Sequence, residues 1–268
     1  MNFKDKIIVI TGAGSGIGEA AAEEFAKRGA NLVLVARNKE KLNKVEKNLE
    51  KYSVKTLVQV CDVSDKKQVK QMSEKVIETF SRIDVLVNNA GFVIYGKVDE
   101  LSIEDIESQM KTNYFGTIYC TKSFLPYFLQ QNSGHIVNVA SVGGSFGVPG
   151  IASYSATKFA MLGFSEGLHH ELHETNVGIT VVSPIMVRTS LFDHPSFKNF
   201  TKHATGISLS SETVAKAIVK AANSSRLEIV VPSVVRIGIW FKQTFPFFIN
   251  PIIGNRFRKQ LTKRNNPN

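Results

Sequence analysis

The sequence predicts a single α/β domain, with a doubly wound parallel sheet of about seven strands and helices on both faces. Three observations carry this reading. Strand-like and helix-like segments alternate from Lys6 to Pro232. The strand segments are apolar at successive positions, as strands buried on both faces must be. A glycine-rich turn joins the first strand to the first helix, and ligands of such sheets sit beyond the carboxyl ends of the strands.

The elements follow in order. "KIIVIT" is the first strand, and "GIGEAAAEEFAKRG" a helix stopped at Gly29, a suitable C-terminal glycine. "NLVLVAR" is the second strand, and "NKEKLNKVEKNLEK" a charged amphipathic helix. "KTLVQVCDV" is strand, and "SDKKQVKQMSEKVIETF" a helix with Ser64 or Asp65 as its N-cap. "IDVLVNNAG" is the fourth strand. A long helical stretch from about Ser102 to Gln131 contains Pro126, which should bend or break it. Then come the strand "HIVNVAS", a helix over Ser153–Glu174, the strand "GITVVSP", the helix "SETVAKAIVKAA" and the strand "EIVVP". No internal repeat, low-complexity run or linker interrupts the series.

The 268 residues suit one large α/β domain, and 43% hydrophobic content suits a soluble globule. Cys61 and Cys120 are the only cysteines, with no C-x-x-C spacing. That excludes a disulfide scaffold or a cysteine-based zinc site and points to a reducing, cytoplasmic setting. The amino-terminal apolar run is too short for a secretory leader. His169 and His173 stand four apart, but H-E-x-x-H is absent, so no metal site is expected. The net charge of +10 is uneven. No acidic residue follows Glu228, whereas Arg236, Lys242, Arg256, Arg258, Lys259, Lys263 and Arg264 do. The rest is near balance, so the overall charge does not indicate nucleic-acid binding.

The chain therefore divides into residues 1–229, the nucleotide-binding and catalytic domain, and residues 230–268, a hydrophobic and basic extension. Within the extension, Val230–Ile253 carries Trp240, Phe241, Phe245, Phe247 and Phe248, but Arg236, Lys242 and three prolines interrupt it. It fails as a spanning helix. Three readings stay open: peripheral contact with a membrane surface, a gate over the substrate pocket, or a subunit interface.

"TGAGSGIG" runs from Thr11 to Gly18, with glycines spaced G-x-x-x-G-x-G at Gly12, Gly16 and Gly18. Glycines permit a tight turn and close backbone approach, and the helix N-terminus offers N–H groups to a pyrophosphate. Ser15 can add a hydroxyl. At the end of the second strand, where an acid would hold a ribose 2′-OH, stand Ala36 and Arg37, with no carboxylate before Glu40. A cation without a competing acid suits a 2′-phosphate, so the expected cofactor is NADP(H).

"YSATK" at 154–158 places Tyr154 and Lys158 four apart on a helix, hence on one face. A phenol ordinarily titrates near 10. A neighbouring ammonium is expected to lower that value and fit Tyr154 to move a proton to or from a substrate oxygen.

Together, "TGAGSGIG", Asp62 after the third strand, "NNAG" at 88–91, Asn113, Ser141 and "YSATK" resemble the short-chain dehydrogenases/reductases of the single-domain Rossmann type. The resemblance covers roughly residues 5–190. It implies a catalytic set of Asn113, Ser141, Tyr154 and Lys158. In that set Ser141 bonds the substrate oxygen, Asn113 holds a water leading from Lys158, and Lys158 reaches the cofactor ribose. It implies further cofactor contacts from Ile17, from Asp62 and Val63 at the adenine, and from Asn89, Ala90 and Gly91. Pro184, Val187 and Thr189 would meet the nicotinamide end, although Ile185 replaces the glycine usual there. A substrate lid would span Ser190–Leu209, where Leu191, Phe192, Phe197 and Phe200 suggest a lipophilic carbonyl or alcohol. A homodimer or homotetramer is also implied. The competing expectation is a catalytically idle NADP(H)-binding regulator or scaffold.

Overall fold

The computed structural model describes residues 2–189, 194–197, 208–252 and 254–255. Seven parallel strands form one sheet: β1 (Ile7–Thr11), β2 (Asn31–Ala36), β3 (Thr56–Val60), β4 (Val85–Asn88), β5 (Gly134–Val139), β6 (Val177–Pro184) and β7 (Glu228–Val231). Their order is β3-β2-β1-β4-β5-β6-β7. The order reverses between β1 and β4, and that switch point opens a crevice at the strands' carboxyl ends.

Helices α1 (Gly16–Ala26), α2 (Lys39–Leu49), α3 (Lys66–Phe80), α4 (Ile103–Met110), α5 (Gly116–Gln131), α6 (Ala152–Glu171), α7 (Ser211–Ala221) and α8 (Val235–Thr244) complete the fold. Side chains of a strand alternate between faces. Accordingly Ile8, Ile10, Leu32 and Leu34 pack with α1, α2 and α7 through Phe25, Leu42 and Val214. Ile7, Val9, Val33 and Val35 pack on the other face with α3, α5 and α6 through Val69, Phe124 and Leu168. Both faces of β1 are thus sealed.

One local expectation needs correction. The long helical stretch does not break at Pro126, which lies within α5. Pro126 and Lys122 are exposed, so the turn that loses a hydrogen bond lies on the solvent side of the helix. The interruption comes earlier, as a π-helical turn over Lys111–Phe115 that contains Asn113. Such turns widen the helix locally and re-aim side chains. At α3, the N-cap is Asp65, whose carboxylate accepts from the N–H groups of Lys67 and Gln68.

Candidate active site

Gly12 and Gly16 adopt φ of +67° and +59°, the left-handed region that glycine enters freely. Gly18 serves close packing instead: a Cβ there would lie 2.2 Å from the Gly12 carbonyl oxygen. The loop is stitched to β4. Thr11 Oγ1 accepts from the N–H groups of Asn89 at 2.9 Å and Ala90 at 3.1 Å. Asn89 Nδ2 donates back to the carbonyls of Thr11 at 3.0 Å and Gly12 at 3.3 Å. Thr11 has no role in the sequence reading, because its partners lie 78 residues away. A threonine closing the first strand was the only signal. The N-terminus of α1 opens here onto a cavity of about 600 Å³. Gly12, Ser15, Gly16, Ile17, Asn89, Ala90 and Gly91 line it on this side. The glycine turn, the helix N-terminus and the absence of any Cβ at Gly12 and Gly16 fit a dinucleotide pyrophosphate.

Arg37 follows β2 and is largely exposed, with Nη1 3.9 Å from Asp62 Oδ2. Asp62 Oδ1 also accepts from Ser64 N at 2.9 Å and Ser64 Oγ at 2.7 Å, fixing the turn before α3. The Val63 side chain packs where Gly116 leaves room; a Cβ on that glycine would lie 2.7 Å from Val63 Cγ2. Lys41, which sequence reasoning missed, stands in the first turn of α2 beside the glycine loop. Its Cβ is 3.3 Å from where a Gly14 Cβ would sit. Gly18, Arg37, Asp62, Val63 and Asn113 do not line the cavity itself.

Tyr154 and Lys158 both line the cavity from the first turns of α6, and Ser141 lines it from the end of β5. Ser141 Oγ and the Tyr154 ring lie 3.4 Å and 3.8 Å from where a Gly143 Cβ would sit, so the two side chains are neighbours. Ser141 Oγ accepts from Gly143 N at 3.0 Å, which fixes its rotamer. Lys158 Nζ donates to the Val139 carbonyl at 2.9 Å and lies 5.7 Å from the Tyr154 ring centroid. Asn113 is fully buried behind this group. Its Oδ1 accepts from Phe92 N at 2.9 Å, and its Nδ2 donates to Phe92 O at 2.9 Å and Thr157 Oγ1 at 3.1 Å. Thr157 Oγ1 in turn donates to the Tyr154 carbonyl at 2.7 Å. The Asn113 side chain is therefore a clamp between the loop after β4 and the start of α6.

The electrostatics correct one expectation. Burial pushes the Tyr154 phenol up to about 12, with the neighbouring Ser141 hydroxyl acting in the opposite direction. Lys158 does not bring it below its ordinary value. Burial likewise pulls Lys158 down to about 8, and its ammonium donates to the Val139 carbonyl, so desolvation dominates the acidity of both groups.

The loop after β6 closes the remaining wall. Pro184, Ile185, Met186, Val187 and Thr189 line the cavity. Thr189 Cβ lies 3.2 Å from where a Gly16 Cβ would be, so this loop folds over the glycine turn. Ile185, which replaces the glycine usual at this position in the resembled family, donates its N–H to Val231 O at 2.9 Å and leaves the loop in register with β7. At the substrate end, Phe197 is buried against Tyr95, with ring centroids 5.4 Å apart, and clusters with Val93 and Tyr154. Leu191, Phe192 and Phe200 of the expected lid lie outside the described residues. Val93, Tyr95 and His194 were not foreseen, because only the fold brings them to Tyr154.

A seven-stranded doubly wound sheet, with a glycine turn facing a Ser–Tyr–Lys group across one cavity, defines a dinucleotide-dependent oxidoreductase architecture. The short chain dehydrogenase family model matches residues 6–197, and the chain belongs to that short-chain dehydrogenase/reductase family of oxidoreductases. An uncharacterized oxidoreductase of Staphylococcus aureus strain MRSA252 is 41% identical over 187 residues, covering 70% of this chain and 80% of the relative. Among solved structures, a short-chain dehydrogenase/reductase from Burkholderia phymatum in complex with NAD is 28% identical with a TM-score of 0.83. It covers 91% of this chain and 95% of its own. An actinorhodin polyketide ketoreductase with NADPH is 29% identical with a TM-score of 0.77, over 85% and 95% of the two chains. One of these holds NAD and the other NADPH, so the choice of cofactor rests on this chain's own residues.

Proposed function

We propose that this protein is an NADP(H)-dependent oxidoreductase that interconverts a lipophilic carbonyl compound and its alcohol, with Tyr154 as the proton donor and acceptor. One observation carries the reading: Tyr154, with Ser141 beside it, shares one cavity with the glycine turn and Lys158. Gly12, Gly16 and the N–H groups opening α1 would hold the pyrophosphate. Arg37, with Lys41 beside it, would meet a 2′-phosphate. NADPH, when bound, supplies the hydride.

The chain's own residues handle the oxygen. A phenol held near 12 stays protonated at neutral pH, which suits donation to an oxygen gaining negative charge as a ketone is reduced. Ser141 can share that oxygen and stabilise the developing charge. Lys158, titrating near 8, carries positive charge over much of the neutral range and favours the phenolate left behind. Val93, Tyr95, Ile151 and Phe197 give the substrate end an apolar wall, which supports a lipophilic substrate.

The test is NADPH oxidation against ketones of graded chain length and 3-oxoacyl compounds. Tyr154→Phe is expected to cut turnover by about 10²–10⁴-fold while NADPH binding, followed by cofactor fluorescence, persists. Full activity in that variant ends the mechanism. NADPH binding with no turnover across the panel in the unaltered protein favours the idle regulator.

A further inference from the structure

Helix α8 carries its apolar side chains on the solvent side. Its inward side is narrow: Ile239 is buried, and Lys242 Nζ donates to the Ser145 carbonyl at 3.0 Å. The same ammonium sits 5.8 Å and 5.9 Å from the ring centroids of Phe146 and Phe159. The outward side presents Val234, Ile237 and Trp240, which are 65%, 58% and 55% exposed. Residues 246–252 are helical again and continue the surface, with Phe247 at 91%, Phe248 at 73% and Ile252 at 63% exposure. Trp240, Phe241 and Phe245 pack on one another at centroid distances of 4.9–6.3 Å, so the rings form one patch. A folded monomer gains nothing by exposing such a patch to water, and a contiguous one marks an interaction surface.

Charge identifies the occupant. Seven lysines and arginines and no acidic residue follow Glu228. In the sequence this excess of cations complements an anionic surface, and Arg236 is exposed on α8 beside the patch. No described helix is long and apolar enough to cross a membrane, and α8 has only 10 residues. Aromatic side chains flanked by cations on a short helix suit the plane of a lipid headgroup layer.

We propose that α8 and residues 246–252 dock on the surface of an anionic lipid bilayer. The placement has a consequence for the site. Lys242 fastens α8 to Ser145, and Val142 and Gly143, just before it, line the cavity beside Ser141. Docking therefore sets the cavity mouth near the bilayer, where a carbonyl compound dissolved in lipid can enter. This substrate route rests on the oxidoreductase reading; the docking does not.

The sequence contains one tryptophan, so Trp240 reports the contact directly. The probes are phosphatidylcholine vesicles with and without about 30% phosphatidylserine. The protein is expected to sediment with the anionic vesicles, with a blue shift of Trp240 emission that weakens at high salt. In Phe247→Ser/Phe248→Ser, partitioning should fall roughly 100-fold, about tenfold per ring, with NADPH binding and vesicle-free turnover of a water-soluble carbonyl unchanged. Absence of both sedimentation and blue shift with anionic vesicles overturns the proposal. So does equal partitioning of the double variant, or a blue shift that tracks doubling of the protein's mass without lipid. Turnover without docking sinks only the docking, and docking without turnover sinks only the oxidoreductase reading.

Discussion

Replacing Asn113 by alanine tests whether this residue acts as a clamp. Its amide makes three hydrogen bonds of 2.9, 2.9 and 3.1 Å, from a side chain with no solvent exposure. Truncation leaves Phe92 N–H and C=O without their partner, at about 1–3 kcal/mol for each unsatisfied group. Phe92 is only half-buried, so both losses fall toward the lower end, giving roughly 2–4 kcal/mol together. At about 2–4 °C per kcal/mol for a domain of this size, the melting temperature should fall by roughly 4–16 °C. Thr157→Val removes only the third bond's acceptor and its link to the Tyr154 carbonyl, and should cost less. The assay is thermal unfolding by near-UV circular dichroism, with NADPH turnover measured in parallel. A variant that melts within about 1 °C of the parent yet loses turnover would refute the clamp, because Asn113 would then act on the reaction through a water rather than through Phe92.

Three further outcomes are expected. Arg37→Ala should weaken NADPH binding by about 10–150-fold and NADH binding by much less, since an exposed guanidinium bonding a phosphate contributes about 1.5–3 kcal/mol; equal losses, measured by fluorescence titration, would remove Arg37 from the phosphate. Lys158→Met should abolish most turnover yet raise the melting temperature of the cofactor-free protein at pH 7. The folded chain holds Lys158 near 8 against an ordinary 10.5, so the unfolded chain binds the extra proton, and a burden of about 3 kcal/mol is full below pH 8 and fades as pH rises toward 10.5. His135, pulled down to about 4 by burial, should make the fold acid-sensitive: stability falls by up to about 3 kcal/mol as pH drops from 6.5 to 4, and His135→Gln should flatten that part of the unfolding profile. His135 is held neutral against Thr180 at 3.0 Å, and because Thr180 Oγ1 gives its own proton to Arg226 O at 2.8 Å, the histidine Nε2 must be the donor.

Much of this protein was legible in its residues alone, because the relevant physics is local. The parallel strands are apolar at most positions, so all seven could be found in the sequence. Positive φ at Gly12 and Gly16 follows from a tight turn that only glycine enters without strain. Tyr154 and Lys158 share a face because an α-helix repeats after nearly four residues. The tertiary structure decided the rest, since those features depend on partners far apart in the chain. Thr11 and Asn89 lock the glycine turn across 78 residues, and Asn113 reaches Phe92 across 21. The helix broke at Lys111–Phe115 rather than at Pro126, because which turn lies on the solvent side is a property of packing. The acidity of Tyr154 moved opposite to what its neighbour four residues on suggested, because desolvation sums over every surrounding group while a sequence motif records only one.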